Sequence, residues 1–300
     1  MPGMTEASST PARRSVIVAS AFAREEKFDI ETEEESQFLN SVSISTADPH
    51  AIRSDAALIE HALRLTPAFA AWPAPALGRL LSVSKLGRHR RGEIISADEG
   101  EDCTSMIVSG YAMVGWMPVG GKRAAIAPCG PGHVVGFTRS AGEESSDGFP
   151  VGHHFRALDE ITIVQMPTSL IQQILDEEPA LWKDMAKMLI VQHRETLDAL
   201  LTQGIGPFQH RLLATLERLA LRHGSRGARG DEISLRMRLT QEDLAALLQV
   251  TRQSVNKELG VLAEAGVIAQ RHNSITVIDL QALHRLAGRT VQPTLRSTET

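Results

Sequence analysis

Cysteine is scarce in this 300-residue chain, with only Cys103 and Cys129 present. Two thiols cannot build a disulfide framework within one chain, nor supply the four ligands of an iron–sulfur cluster. Long apolar runs are missing as well. No stretch approaches the ~18–20 apolar residues of a membrane-spanning helix. The opening MPGMTEASSTPARRS lacks the apolar core of a secretory signal. A cytoplasmic protein without membrane contact is expected. Metal-ligand spacing is also lacking: His153 and His154 are adjacent, so on a strand they point to opposite faces, and no carboxylate completes a set such as H-x-H with a later Glu. The sequence therefore offers no metal site and no catalytic residue, and an enzyme built on that histidine pair is the weaker reading.

What the chain does contain is charge, unevenly distributed. The net charge is −5. Residues 1–50 hold four Lys/Arg against nine Asp/Glu, residues 51–206 hold 14 against 18, and residues 207–290 hold 12 against 8. Positive charge is thus concentrated near the C-terminal end, where it suits an anionic partner. The 42% apolar content allows packed cores, and the length suits about two domains.

Along the chain the character changes several times. Residues 1–50, with ETEEES and Ser/Thr/Pro clusters, predict a disordered acidic extension. IEHALRL and ALGRLL predict short helices separated by the breaker WPAP. From 83 to 168 glycines recur between the short β-prone runs EIIS, SMIVSG, YAMVGW, AAIA, HVVGF and ITIVQM, the pattern of a sandwich or roll. Gly120 and Gly121 suit the tight turn of a hairpin. Residues 169–203 return to helix. A helix from 180 to 203 would run about 35 Å, and its stripe of Trp182, Met185, Leu189, Thr196 and Leu200 needs covering, which a second copy of the chain would supply. GIGP at 204–207 reads as a hinge, FQHRLLATLERLALRHG as a helix, and GSRGARG as a solvated loop.

The most informative stretch is TQEDLAALLQVTRQSVNK at 240–257. Thr240 and Asp243 form a T-x-x-D capping box, followed by the inward residues Leu244, Ala245, Leu247 and Leu248. After a short break Thr251 caps a second helix opening at Arg252, with Val255, Leu259 and Leu262 inward. At about 100° per residue, Gln253, Lys257, Gly260 and Glu264 fall on the opposite face, with Arg252 in the first turn and Asn256 on the flank. Two short helices and a tight turn describe a helix-turn-helix, whose second helix fits the major groove. Arginine matches N7 and O6 of guanine, and Gln or Asn can do the same for adenine. Thr240, Gln241, Thr251 and Ser254 place short polar groups near helix N-termini, where phosphates are favoured. VIAQRHNSITVID at 267–279 then reads as a β-ribbon with Arg271 and His272 at its tip, able to touch phosphates. LQALHRLAG closes the fold as a last helix, so the C-terminal part predicts a winged helix-turn-helix.

On these residues the chain resembles the Crp/Fnr family of bacterial transcription regulators. LTQEDLAALLQVTRQSVNKELGVLAEAGVI is similar to the family's DNA-binding signature. The glycines at 92, 100, 110, 121, 132 and 136 are similar to its cyclic-nucleotide-binding-type β-roll, and GIGPFQHRLLATL to its hinge. The resemblance, which covers roughly residues 80–287, implies an α+β chain with a helical lead-in and β-roll effector domain over 51–170, a dimerisation helix over 171–204 and a winged helix-turn-helix over 205–290, between the disordered acidic extension expected over 1–50 and a disordered tail over 291–300. It implies base contacts from Arg252, Gln253 and Lys257, joined by Asn256 on the flank, and a homodimer on a palindromic site in double-stranded DNA. If the regulator activates, RNA polymerase is the implied partner. Gln249 stands where the family often has glycine.

The effector site departs further. Gly136-Phe137-Thr138 lacks the carboxylate of the family's Gly-Glu-Leu segment, and Val151-Gly152 stands where an Arg-Ser pair holds the cyclic phosphate. Without that charge-assisted partner, cyclic-nucleotide control is not expected. Gly136, Phe137, Thr138, Arg139 and Arg156 remain the candidate pocket, and the GEESSDG segment at 142–148 would remodel its mouth. For haem ligation His89, His133, His153, His154, Cys103 and Cys129 are candidates in residue type only, so no cofactor is assigned and the effector is left open. The competing function is a ligand-binding signalling module whose C-terminal domain binds protein rather than DNA.

Overall fold

The computed structural model describes residues 55–96, 103–115, 117–119, 122–137, 154–226, 232–271 and 274–289. The acidic extension, the C-terminal tail, the 142–148 segment, Gly120 and Gly121, Thr138, Arg139, Val151, Gly152, His153 and His272 lie outside the described residues. So does the side chain of His154.

Among the described residues three helices lead in: α1 (Asp55–Leu65), α2 (Pro67–Ala70) and α3 (Ala74–Val83). Ten short strands follow among the described residues. β1 (Lys85–His89), β10 (Ile161–Pro167), β3 (Cys103–Ser109) and β8 (Val134–Val135) form one antiparallel sheet in that order. β2 (Ile94–Ser96), β9 (His154–Ala157), β4 (Ala112–Val114) and β7 (Ala127–Cys129) form a second. β5 (Met117–Val119) and β6 (Lys122–Ala124) pair as a hairpin with Val119 opposite Lys122, the register expected from the two glycines between them.

Alternation along the strands explains the layering. Ile107 and Ile163 point inward and cluster with Phe155 and Cys129 of the other sheet, so the two sheets face each other as a roll. Met106, Val108, Val164 and Met166 point the other way, beneath Leu63, Phe69 and Leu80 of the lead-in helices. The sequence runs did not reveal β1 or β9, since KLGRH and HFRA carry few β-branched residues.

After α4 (Thr168–Glu177) and one 3₁₀ turn comes the long helix α5 (Trp182–Gly204). The stripe expected to meet a second copy is divided. Met185 is fully buried in the chain's own core and so serves this chain, and Leu189 packs half-buried at the edge of that core. Trp182 leans on Phe137, with ring centroids 6.0 Å apart. Thr196 is half-buried and bonds Gln192 O at 2.9 Å, and Leu200 stays exposed. The open apolar seam lies one face over, on Ile190, Leu197 and Leu201, seven and four residues apart.

The C-terminal part contains α6 (Phe208–His223), β11 (Gly224–Arg226), β12 (Ile233–Leu235), α7 (Gln241–Leu248), α8 (Arg252–Glu264), β13 (Ile268–Arg271), β14 (Ser274–Val277) and α9 (Leu280–Arg289). The polar loop expected from Gly224 onward begins instead as a strand: Gly224–Arg226 pairs with β12, and β12 joins the ribbon in the sheet order β11-β12-β14-β13. Backbone pairing with Ile233–Leu235 overrides the low strand propensity of GSR. The cores of the roll and of this part meet, because Tyr111, Met113, Ala125 and Leu158 belong to the same cluster as Leu216, Leu247 and Val255. No helix among the described residues is long and apolar enough to cross a membrane.

Candidate nucleic-acid interface

The two helices of the candidate interface start where their caps place them. Thr240 Oγ1 accepts from Asp243 N at 3.1 Å, and Thr240 N donates to Asp243 Oδ2 at 2.8 Å, closing the capping box of α7. Thr251 Oγ1 likewise accepts from Ser254 N at 3.1 Å at the start of α8. Each cap satisfies N–H groups that a helix start otherwise leaves unpaired. Between the helices Gln249 takes the left-handed conformation, φ 53° and ψ 41°, which turns the chain tightly enough to bring α8 across α7. It is the one non-glycine residue with positive φ among the described residues.

Burial then orients α8. Val255, Leu259 and Leu262 are buried in the C-terminal core, each contributing about 1.5–3 kcal/mol of burial energy. That anchoring leaves Arg252, Gln253, Asn256 and Lys257 exposed on the outer side. Neighbouring polar groups tie this face together. Gln241 Nε2 donates to Asn256 Oδ1 at 2.7 Å, and Arg252 Nε donates to Gln241 Oε1 at 3.5 Å. Gln241, in the first turn of α7, thus bridges two residues of α8. Spacing within either helix does not reveal that bridge, since it joins residues 11 and 15 positions apart.

A concavity of about 390 Å³ opens between α8 and the β13–β14 ribbon. Thr240, Gln241, Arg252, Gln270, Arg271 and Ser274 line it. The structure therefore brings Thr240, Gln241, Arg252 and Arg271 around one hollow. It adds Gln270 and Ser274, which the sequence reading missed; the only signal for them was their place beside the turn of the ribbon. Thr251 and Ser254 do not line the hollow; their hydroxyls lie 2.9 Å apart at the start of α8.

The candidate effector residues are not gathered in this way. Gly136 has φ +90°, and a Cβ there would stand 2.4 Å from Cys103 O, so its role is close backbone packing on β3. Phe137 is buried in the lead-in core. Arg156 turns toward the C-terminal part and pairs with Asp243. Cys129 is buried, its Sγ donating to Ala112 O at 3.5 Å, and burial pushes its thiol pKa up to about 12. His89 lies 3.5 Å from Glu93. No group of three or more His, Cys, Asp or Glu side chains suited to a metal occurs among the described residues.

Further contacts join the roll to the two-helix unit. Ala125 N donates to Ala246 O at 3.3 Å, and Gln203 Nε2 donates to Ile126 O at 2.8 Å. Arg211 Nη1 donates to Gln203 O at 2.8 Å and to Leu248 O at 3.0 Å. The end of α5, the roll and α7 are thus linked through one short series of hydrogen bonds.

Residues 210–286 match the family described as the Crp-like helix-turn-helix domain. The fumarate and nitrate reduction regulatory proteins of Shigella dysenteriae and Escherichia coli strain K12 are each 25% identical to this chain over 172 residues, 56% of this chain and 68% of theirs. Among solved structures, a CRP-family transcriptional regulator from Thermus thermophilus aligns with a TM-score of 0.53 at 21% identity, over 69% of this chain and 98% of its own. A cyclic nucleotide-binding domain containing protein from Listeria monocytogenes aligns with a TM-score of 0.54 at 18% identity, over 73% and 95%. At those identities the two structures speak for the fold alone.

Proposed function

The chain belongs to the Crp/Fnr family of DNA-binding transcription regulators, and from there we propose that it works in the cytoplasm as a homodimer on a palindromic DNA site. One α8 helix enters the major groove of each half-site. The observation that carries this reading is the exposure of Arg252, Gln253, Asn256 and Lys257 on one doubly anchored helix, with Arg271 across the hollow. Arg252 presents parallel N–H groups to a guanine edge, while Gln253 and Asn256 offer amides to adenine. Lys257 reaches a base or a phosphate. Thr240, Gln241, Thr251, Ser254, Arg271 and His272 hold the backbone phosphates, which fixes register without reading sequence.

Dimerisation uses the exposed seam of α5. Ile190, Leu197 and Leu201 repeat at coiled-coil spacing, so a second copy of the helix would cover them and set the two α8 helices about 34 Å apart. Residues 51–170 serve as the effector domain, 171–204 as the dimer helix and 205–290 as the DNA-binding domain. As an activator the protein would take RNA polymerase as a further partner. Selection of bound duplexes from a random pool tests the reading. It predicts an enriched two-fold-related motif, and a bound pool with no shared motif would overturn it.

A further inference from the structure

A second, smaller cavity of about 40 Å³ lies where β4, β7, α5 and α6 meet. Cys129, His133, Glu195, Arg218, Arg222 and His223 contribute to its wall. It contains none of the candidate pocket residues Gly136, Phe137 and Arg156, although the haem candidates Cys129 and His133 line it, and both of its arginines come from α6. Arg218 is only 8% exposed, and its Nε and Nη2 are buried without a hydrogen-bond partner among the described residues. A buried ionised donor left in that state is costly and calls for an acceptor.

The identity of those two nitrogens is informative. Nε and Nη2 form one edge of the guanidinium, whose parallel N–H bonds match two oxygens of a carboxylate or similar planar anion. The carboxylates nearby leave that edge open. Glu195 is engaged by Arg222, and Asp198, exposed on α5, acts on Arg218 through its field alone. Burial lowers the pKa of His133 to about 4, and that of His223 to about 3 with the help of Arg218 and Arg222. Both rings are therefore neutral near pH 7 and can donate an N–H without adding charge.

Size narrows the ligand. One water needs roughly 10–15 Å³ of such space, so the cavity holds about three or four heavy atoms and is far too small for a nucleotide. We infer that this cavity binds a small planar oxyanion, of the class of formate, nitrite, nitrate, bicarbonate or acetate, held side-on by Nε and Nη2 of Arg218. The anion would sit between the roll, the long helix and the first helix of the DNA-binding part. The inference concerns occupancy of the cavity and does not depend on DNA binding.

Calorimetric titration of the full chain with the sodium salts of these five anions, in separate arms at constant ionic strength set by sodium chloride, tests it. The expected result is saturable one-to-one binding in at least one arm, with a matching rise in melting temperature. The arms separate nitrogen oxyanions from carboxylates and bicarbonate. Arg218→Met, which removes the charge and keeps the bulk, should abolish binding. Arg218→Lys keeps the charge but not the fork, and should weaken binding at least tenfold; it carries the test alone if the methionine variant does not fold. No saturable binding in any arm, or unchanged affinity in Arg218→Lys, would overturn the inference.

Discussion

The guanidinium of Arg156, on β9 of the roll, pairs with the carboxylate of Asp243, which closes the capping box of α7 87 residues later in the chain. Both side chains are withdrawn from water, 15% and 3% exposed. One carboxylate oxygen takes Arg156 while the other takes the backbone and hydroxyl of Thr240. The roll therefore touches the N-terminus of the helix that supports α8. Removing one partner of a buried pair strands the other charge, at about 3–5 kcal/mol. Arg156→Met should lower the unfolding free energy toward that range in urea titrations, and a loss below about 0.5 kcal/mol would show that the pair contributes little.

Gln241 spans Arg252 and Asn256 and so positions at once two of the groups proposed to read bases. Gln241→Ala should weaken binding to unrelated duplex through the lost phosphate contact, and weaken binding to the selected site by roughly 0.5–1.5 kcal/mol more. Equal losses on both duplexes in a shift assay would show that Gln241 acts through its phosphate contact alone.

Gln249 holds a left-handed backbone that glycine adopts without steric cost. Gln249→Gly should stabilise the protein by about 0.5–1 kcal/mol, and Gln249→Val should destabilise it by more than about 1 kcal/mol. Paired chemical denaturation curves check both signs.

The seam on α5 predicts its own disruption. Leu197→Glu with Leu201→Glu leaves the chain's own core untouched, because both positions are exposed. Sedimentation should show a dimer becoming a monomer, with loss of high-affinity binding to the palindrome.

His133 and His223 titrate far below a free histidine, near 4 and 3, because burial disfavours the charged rings. In the unfolded chain each takes a proton near pH 6.5. Between that value and the folded pKa the unfolded state holds more protons, so stability falls as pH falls. The loss begins below about pH 6.5 and continues toward pH 4 and 3, with a limiting slope of roughly 1.4 kcal/mol per pH unit per ring. His223→Asn should flatten the decline between about pH 6.5 and 5 in urea titrations. An unchanged slope would contradict the assignment.

Local chemistry made the helix-turn-helix legible. The caps at Thr240 and Thr251 and the apolar spacing of Val255, Leu259 and Leu262 all lie within a few residues of the elements they define. The same holds for the hairpin around the two glycines. What escaped depends on distant partners. Met185 belongs to the inner face of α5 only because the lead-in helices fill that side, and Arg156 meets Asp243 only once roll and helices are assembled. Gly224–Arg226 is a strand because Ile233–Leu235 offers it an edge. Periodicity reports which residues want burial, but not which surface buries them.

The most direct test concerns Arg252. Affinities of the wild-type chain and Arg252→Ala are measured on the selected palindrome and on every single-base variant of one half-site, at fixed salt. Loss of roughly 1–3 kcal/mol per contact on the palindrome, with discrimination erased at one position per half-site, is the predicted result. Discrimination unchanged at every position would contradict a base-reading role for this helix.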